Sequence, residues 1–175
     1  MKIFVSHSLN DKELVDRLHR SVKPYGITLY VAEHYVDMNN TITSKIESMI
    51  KSCDAAVILL TKNGCDSKFV QQEIGYLRSL NKPSLNVVEK EYEKAVTGFI
   101  YGHDYISYDP QKPDDTIVKV TNLLESHNKA VQKKQEMEKL KAAEKESQKK
   151  ALIGIGLLVG ALFAVATISS SENQE

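Results

Sequence analysis

Glu73 is the residue of this 175-residue chain whose position could do chemistry. It lies four residues after Phe69, three before Tyr76 and seven before Leu80. On a helix those spacings put a carboxylate into the apolar row instead of on the solvent face. A partly desolvated carboxylate is a candidate for function. The competing reading is a half-exposed glutamate at the helix flank, paired with Lys68 or Arg78. Most other chemistries lack residues to carry them. There is no Walker loop, no G-x-S-x-G and no H-E-x-x-H, and the five histidines (His7, His19, His34, His103, His127) have no metal-ligand spacing. Neither a metal nor a resident cofactor is expected. Cys53 and Cys65 stand twelve positions apart without a C-x-x-C, and read as small apolar fillers in a reducing, cytoplasmic compartment.

The elements that would position Glu73 alternate between strand and helix. KIFVS at the start reads as a strand, and Asn10 with Glu13 three residues on reads as a capping box for a helix with Leu14, Val15, Leu18 and Val22 on its apolar face. Pro24 and Gly26 end that helix. A strand over 27–31, a polar segment over 32–40 and a helix over 41–52 follow. AAVILL is a continuous apolar run of strand length, which suits a central parallel strand covered on both faces. A loop with Asn63 and Gly64 leads to the helix over 67–80 that carries Glu73. A short strand over 85–88, an irregular piece over 89–102, an edge strand over 105–108 and a last helix from Pro113 complete residues 1–126. This alternation predicts an α/β, doubly wound parallel sheet with its site at the C-terminal ends of the strands.

Charge and hydropathy divide the rest of the chain. Acidic and basic residues balance at 23 each, and aromatics are 7% with no tryptophan, so no nucleic-acid partner is implied. The balance is segmental, since 129–150 carries eight lysines against four glutamates. Residues 127–150 are strong helix formers with Glu138–Lys141 and Glu146–Lys150 at supportive spacings. Val131, Met137 and Leu140 make a poor heptad seam, so a solvated spacer helix is favoured over a coiled coil. Residues 151–168 are eighteen in number without a charge, a length of about 27 Å as a helix against a hydrocarbon core of about 30 Å. They are expected to form one C-terminal transmembrane helix, followed by a short polar tail over 169–175. Lys145, Lys149 and Lys150 precede it and Glu172 and Glu175 follow it, which leaves the N-terminal domain in the cytoplasm and the tail outside. Gly156 and Gly160 form a G-x-x-x-G that permits close helix pairing in the lipid bilayer. Gly154 and Gly156 follow no strand and are not a dinucleotide fingerprint.

The blocks KIFVSHS with Asp11 after it, GITLYVAEHY, KSCDAAVILLT, KNGCDSKFVQQEIGYL and KPSLNVV, in this order and at these spacings, resemble the successive boxes of a prokaryotic Toll/interleukin-1 receptor (TIR) domain. The resemblance covers residues 2–124. It implies the TIR fold, a flavodoxin-like parallel sheet of five strands, and cleavage of NAD⁺ as a substrate. In TIR domains that cleave NAD⁺ the catalytic glutamate lies on the helix after the third strand, beyond a Ser-x-aromatic element. Here that element is Ser67-Lys68-Phe69, with Phe69 where tryptophan is usual, and the glutamate is Glu73. Residues 32–40 match the loop that gates the pocket and docks onto a neighbouring TIR domain. Glu33, His34, Tyr35 and Asp37 are its polar and aromatic content, and Asn39 and Asn40 stand where glycine or proline is common. Ser6, His7 and Ser8, at the C-terminal end of the first strand, are further pocket candidates, with strand-end capping as the alternative. The substrate contacts expected are thus Ser6, His7, Ser8, Glu33, Tyr35 and Phe69.

The function this implies is a membrane-tethered NAD⁺ glycohydrolase or cyclase, active on self-association, in prokaryotic antiviral or immune-type signalling. One alternative is a non-catalytic TIR–TIR interaction scaffold at the membrane. A more remote one is an enzyme like the nucleoside deoxyribosyltransferases.

Overall fold

The computed structural model describes the backbone of residues 1–31, 42–94 and 104–171, and the side chains among these other than 42–43, 147 and 149–171. Its strands are β1 (Lys2–Ser6), β2 (Thr28–Val31), β3 (Ala55–Leu60), β4 (Ser84–Glu89) and β5 (Tyr105–Tyr108). Its helices are α1 (Lys12–Val22), α2 (Ile42–Ser52), the single turn α3 (Lys62–Cys65), α4 (Lys68–Ser79) and α5 (Pro113–Ser171). All strand pairs are parallel, in the order β2-β1-β3-β4-β5. This is the flavodoxin-like order, in which chain direction across the sheet reverses between β1 and β3.

Alternation along each strand feeds two cores. On one face Ile3, Val5, Val57, Leu59 and Val87 pack against Val15, Leu18 and Val22 of α1 and Val120 and Leu124 of α5. On the other, Phe4, Ala56, Ile58, Leu60 and Val88 pack against Ile50 of α2 and Val70, Ile74 and Leu77 of α4. Every residue of β3 is buried, which is why its sequence shows no alternation. Burying each large aliphatic side chain here contributes roughly 1.5–3 kcal/mol.

Two local expectations are corrected. The capping box at Asn10 and Glu13 does not form. Ser8 accepts the Asn10 N–H at 3.4 Å, a 3₁₀ turn covers Leu9–Asp11, and α1 begins at Lys12. Asp11 stands at the N-cap of α1 without capping it, because its carboxylate accepts from Thr61 Oγ1 at 2.8 Å and from Asn63 Nδ2 at 3.0 Å. The expected loop at Asn63 and Gly64 is instead α3, capped by Thr61, whose Oγ1 accepts the Gly64 N–H at 3.0 Å. Thr61 thus links the end of β3 to the start of α1 by donating to one group and accepting from another. Thr61→Val keeps the shape and removes both bonds, and is expected to cost about 2 kcal/mol in urea unfolding. An unchanged midpoint would deny the link.

The chain divides into two compact units, Met1–Asn128 and Lys129–Glu175. In the first, α5 is tied to α1 by a 2.7 Å hydrogen bond between Thr121 and Ser21 hydroxyls, and Asn128 Nδ2 donates to Tyr25 O at 3.0 Å. In the second, the described side chains from 132 onward are exposed, Met137 and Leu140 among them. The helical backbone of α5 runs through 151–168, but the side chains of the expected membrane span, including Gly156 and Gly160, lie outside the described residues. Among the described residues no helix is long and apolar enough to cross a membrane.

Candidate functional site

The helix that carries Glu73 starts cleanly because Ser67 occupies its N-cap and accepts the Val70 N–H at 3.4 Å. From there Val70, Ile74 and Leu77 recur at the helical period and seat α4 on the sheet. Glu73 falls between them and is only 4% exposed. On β1 the period of two that buries Phe4 under α4 also points Ser6 that way. The Ser6 hydroxyl donates to Glu73 Oε2 at 2.5 Å. The other carboxylate oxygen, Oε1, is buried and has no hydrogen-bond partner among the described residues. Burial pushes the Glu73 carboxyl up to about 7, and the Ser6 hydrogen bond opposes that rise in part.

The flank reading of Glu73 is therefore set aside. Among the described residues it forms no ion pair, and Nε and Nη2 of Arg78 are buried without partners of their own. A carboxylate this deep with no cation beside it is held at a cost in stability, a pattern that accompanies function.

Glu73 opens onto a cleft of about 640 Å³ between α2 and α4, within the range of about 300–1,000 Å³ typical of small-molecule sites. Ile46 and Glu47 form the α2 wall, while Phe69, Gln72, Tyr76 and Ser79 continue the α4 wall on either side of Glu73. Phe69 is 46% exposed at the edge of the cleft. The Lys51 ammonium lies 5.9 Å from the Tyr76 ring centre, within reach of its face.

Of the expected substrate contacts, Phe69 borders the cleft with Glu73, and Ser6 reaches the cleft only through Glu73, being itself 0% exposed. His7 and Ser8 do not line it. His7 is 4% exposed, its Nδ1 lies 3.2 Å from Val5 O, and burial lowers its pKa, so the imidazole is neutral at pH 7. Ser8 is used on the Asn10 N–H, as the capping alternative held. Glu33 and Tyr35, with His34 and Asp37, lie outside the described residues. Gln72, Tyr76 and Glu47 were not singled out from sequence. The first two share the helical row of Phe69 and Glu73, which was the available signal. Glu47 comes from another helix and had none.

A second, polar cleft of about 390 Å³ lies at the strand ends beside α1. Two of its acids are occupied: Asp11 holds Thr61 and Asn63, and Glu89 Oε2 accepts the Lys62 N–H at 2.7 Å, while Arg17 in its wall pairs with Asp114. Both thiols are raised by burial, Cys53 and Cys65 alike, so neither is an activated nucleophile.

A family model described as the TIR domain matches residues 3–120. The chain belongs to the TIR domain family. Among solved structures, the TIR domain of the Toll-related receptor TRR-2 from Hydra magnipapillata matches this TIR domain with a TM-score of 0.56 and 13% identity, covering 71% of this chain and 95% of that one. Clostridium botulinum CMP N-glycosidase, BcmB, matches with a TM-score of 0.52 and 17% identity over 69% of this chain and 98% of the other. A prokaryotic SEFIR domain gives a TM-score of 0.52 and 16% identity, with 70% and 96% covered. At these identities the likeness is one of fold. No curated protein matches the chain in sequence.

Proposed function

We propose that this TIR protein cleaves the nicotinamide–ribose bond of NAD⁺, as a glycohydrolase or cyclase, with Glu73 as its catalytic carboxylate. The observation that carries the proposal is the buried Glu73 carboxylate, with no cationic partner among the described residues and one oxygen unpaired, at the wall of a cleft of substrate size. Departure of nicotinamide leaves positive charge spread over C1 and the ring oxygen of the ribose. An ionised carboxylate in a site of low dielectric stabilises that charge strongly and can accept hydrogen bonds from the ribose hydroxyls. Nicotinamide is cationic in NAD⁺ and leaves neutral, so no general acid is required. Attack by water, with its proton released to solvent, gives ADP-ribose, whereas attack by a nucleophile within the same molecule gives a cyclic product. Phe69 supplies an apolar face for a base or the nicotinamide ring. The CMP N-glycosidase that shares the fold is named for cleavage of the same class of bond.

The rest of the chain fits a role in which proximity switches the enzyme on. Residues 151–168 are proposed to span the cell membrane, with the domain in the cytoplasm, and 129–150 to act as the spacer. Confinement to a plane raises the effective concentration of neighbouring domains, and Gly156 and Gly160 would allow the membrane helices to pair. The setting proposed is prokaryotic antiviral or immune-type signalling.

The test is NAD⁺ consumption by the full chain reconstituted in liposomes at low and high protein density, with Glu73→Ala alongside. Consumption should rise more steeply than density and fall about 100-fold or more in Glu73→Ala. Folded, densely packed wild-type protein that leaves NAD⁺ intact would end the enzyme reading and leave the non-catalytic TIR–TIR scaffold. Release of the chain from the liposomes by alkaline wash would end the membrane reading independently.

A further inference from the structure

We infer that Ser6 is the positioning residue of Glu73: its hydroxyl pins Oε2, so that the carboxylate is held in one orientation and Oε1 is the oxygen left to meet the substrate. The inference rests on the activity proposed above and assigns to Ser6 a task different from the substrate contact expected of it.

Ser6 is suited to this task by where it stands. It is the last residue of β1, in register with Ile58 of the fully buried β3, so its backbone is fixed by the centre of the sheet. Its side chain has one heavy-atom torsion, whereas a glutamate has three, and a glutamate facing a cleft has many rotamers to lose. The bond between them is 2.5 Å long and joins residues 67 positions apart on two different elements. Strand and helix thus define the carboxylate plane together, from opposite sides. Ser6 is wholly buried and absent from the cleft wall, so it acts through Glu73 and not on the substrate. Among the described residues Oε1 has no donor, which leaves it for a donor or a positive charge brought by the ligand.

The same bond favours the ionised carboxylate, since a hydroxyl donating to a charged acceptor gains more than one donating to a neutral acid. Among the described residues the other titratable groups lining the cleft with Glu73 are Glu47 of α2 and Tyr76 of α4, and β3 contributes none. Burial raises the Glu73 carboxyl and the Ser6 hydroxyl lowers it, and among the described residues no charged neighbour contributes. Loss of the hydroxyl therefore moves the Glu73 midpoint to higher pH.

The experiment compares kcat, KM and their pH profiles for the full chain in liposomes as wild type, Ser6→Ala, Ser6→Cys and Ser6→Thr. Ser6→Ala is expected to lower kcat about tenfold or more with KM little changed, and to move the acidic limb of kcat/KM toward higher pH. At alkaline pH, where Glu73 is ionised in every variant, the deficit should persist. Ser6→Thr, which restores a hydroxyl, should recover most of the rate. A deficit that vanishes at alkaline pH would show that Ser6 adjusts ionisation alone and would overturn the positioning role, as would a wild-type kcat in Ser6→Ala. If Ser6→Ala does not fold, Ser6→Cys, of similar size and a weaker donor, carries the same test, and a wild-type kcat there overturns the inference. An active wild type with unaffected variants sinks only the role of Ser6, whereas an inactive folded wild type sinks the proposed activity and the inference together.

Discussion

Glu73→Gln should make the fold more stable at pH 8 by about 3 kcal/mol, and by almost nothing at pH 4. The sign follows from proton counting. The Glu73 carboxyl titrates near the ordinary glutamate value, 4.5, in the unfolded chain and at about 7 in the folded one. Between those values the folded state holds a proton that the unfolded state has released, so stability falls as pH rises through that window. Below it both states are protonated and the cost is absent, and above it the cost is complete. Glutamine keeps an acceptor for the Ser6 hydroxyl but never carries charge, so its stability should be nearly level across the window. Urea unfolding of both proteins at pH 4, 6 and 8 measures the difference directly. Equal gains at all three values would mean that Glu73 carries no buried charge at pH 8. Under the proposed activity the stabilised variant should also be inert toward NAD⁺, a trade between stability and chemistry that active sites commonly show.

Gly64→Ala should have an effect of similar size in the other direction. A methyl group at this position would lie 2.1 Å from the carbonyl oxygen of Leu59. That oxygen belongs to the backbone of β3, the strand buried on both faces, and cannot swing aside as a side-chain tip could. The turn α3 has to move instead, straining its cap on Thr61 and the Ser67 N–H bond to Gly64 O at 3.2 Å. Overpacking of this kind costs about 3 kcal/mol, and the urea midpoint should fall with an unchanged slope. Because Ser67 is the N-cap of the helix that bears Glu73, the proposed NAD⁺ cleavage should fall as well. A midpoint equal to that of the wild type would show that β3 and α3 are further apart than they stand here.

The features that a local pattern dictates could be read before any coordinates. AAVILL is β3 to the residue, the edge strand is Tyr105–Tyr108, and α5 begins at Pro113, whose ring suits a first helical turn. Glu73 was legible for the same reason, since helical period alone placed it among Phe69, Tyr76 and Leu80. What could not be read depends on residues distant in the chain. The box at Asn10 and Glu13 fits the local rule, but Asp11 is drawn to Thr61 and Asn63 some fifty positions away. Ser6, His7 and Ser8 look equivalent as a strand end, yet β1 stops at Ser6, whose place in the strand's period of two puts it under α4, while Ser8 already belongs to the turn and accepts the Asn10 N–H. The α2 wall of the cleft depends on how two helices lie side by side on a sheet, and Glu47 bears no mark of it.

The sheet order has a consequence for the order of events during synthesis. β1 is made first, but it lies inside the sheet, paired on one side with β2 and on the other with β3. Its hydroxyl-bearing end meets Glu73 only after residues 67 positions later have emerged and α4 has packed. Parallel sheets fold slowly because such pairings are distant in sequence. A growing chain of this protein therefore has no assembled carboxylate site, and under the proposed activity a nascent or truncated chain that ends before α4 spares the NAD⁺ of the cell that makes it.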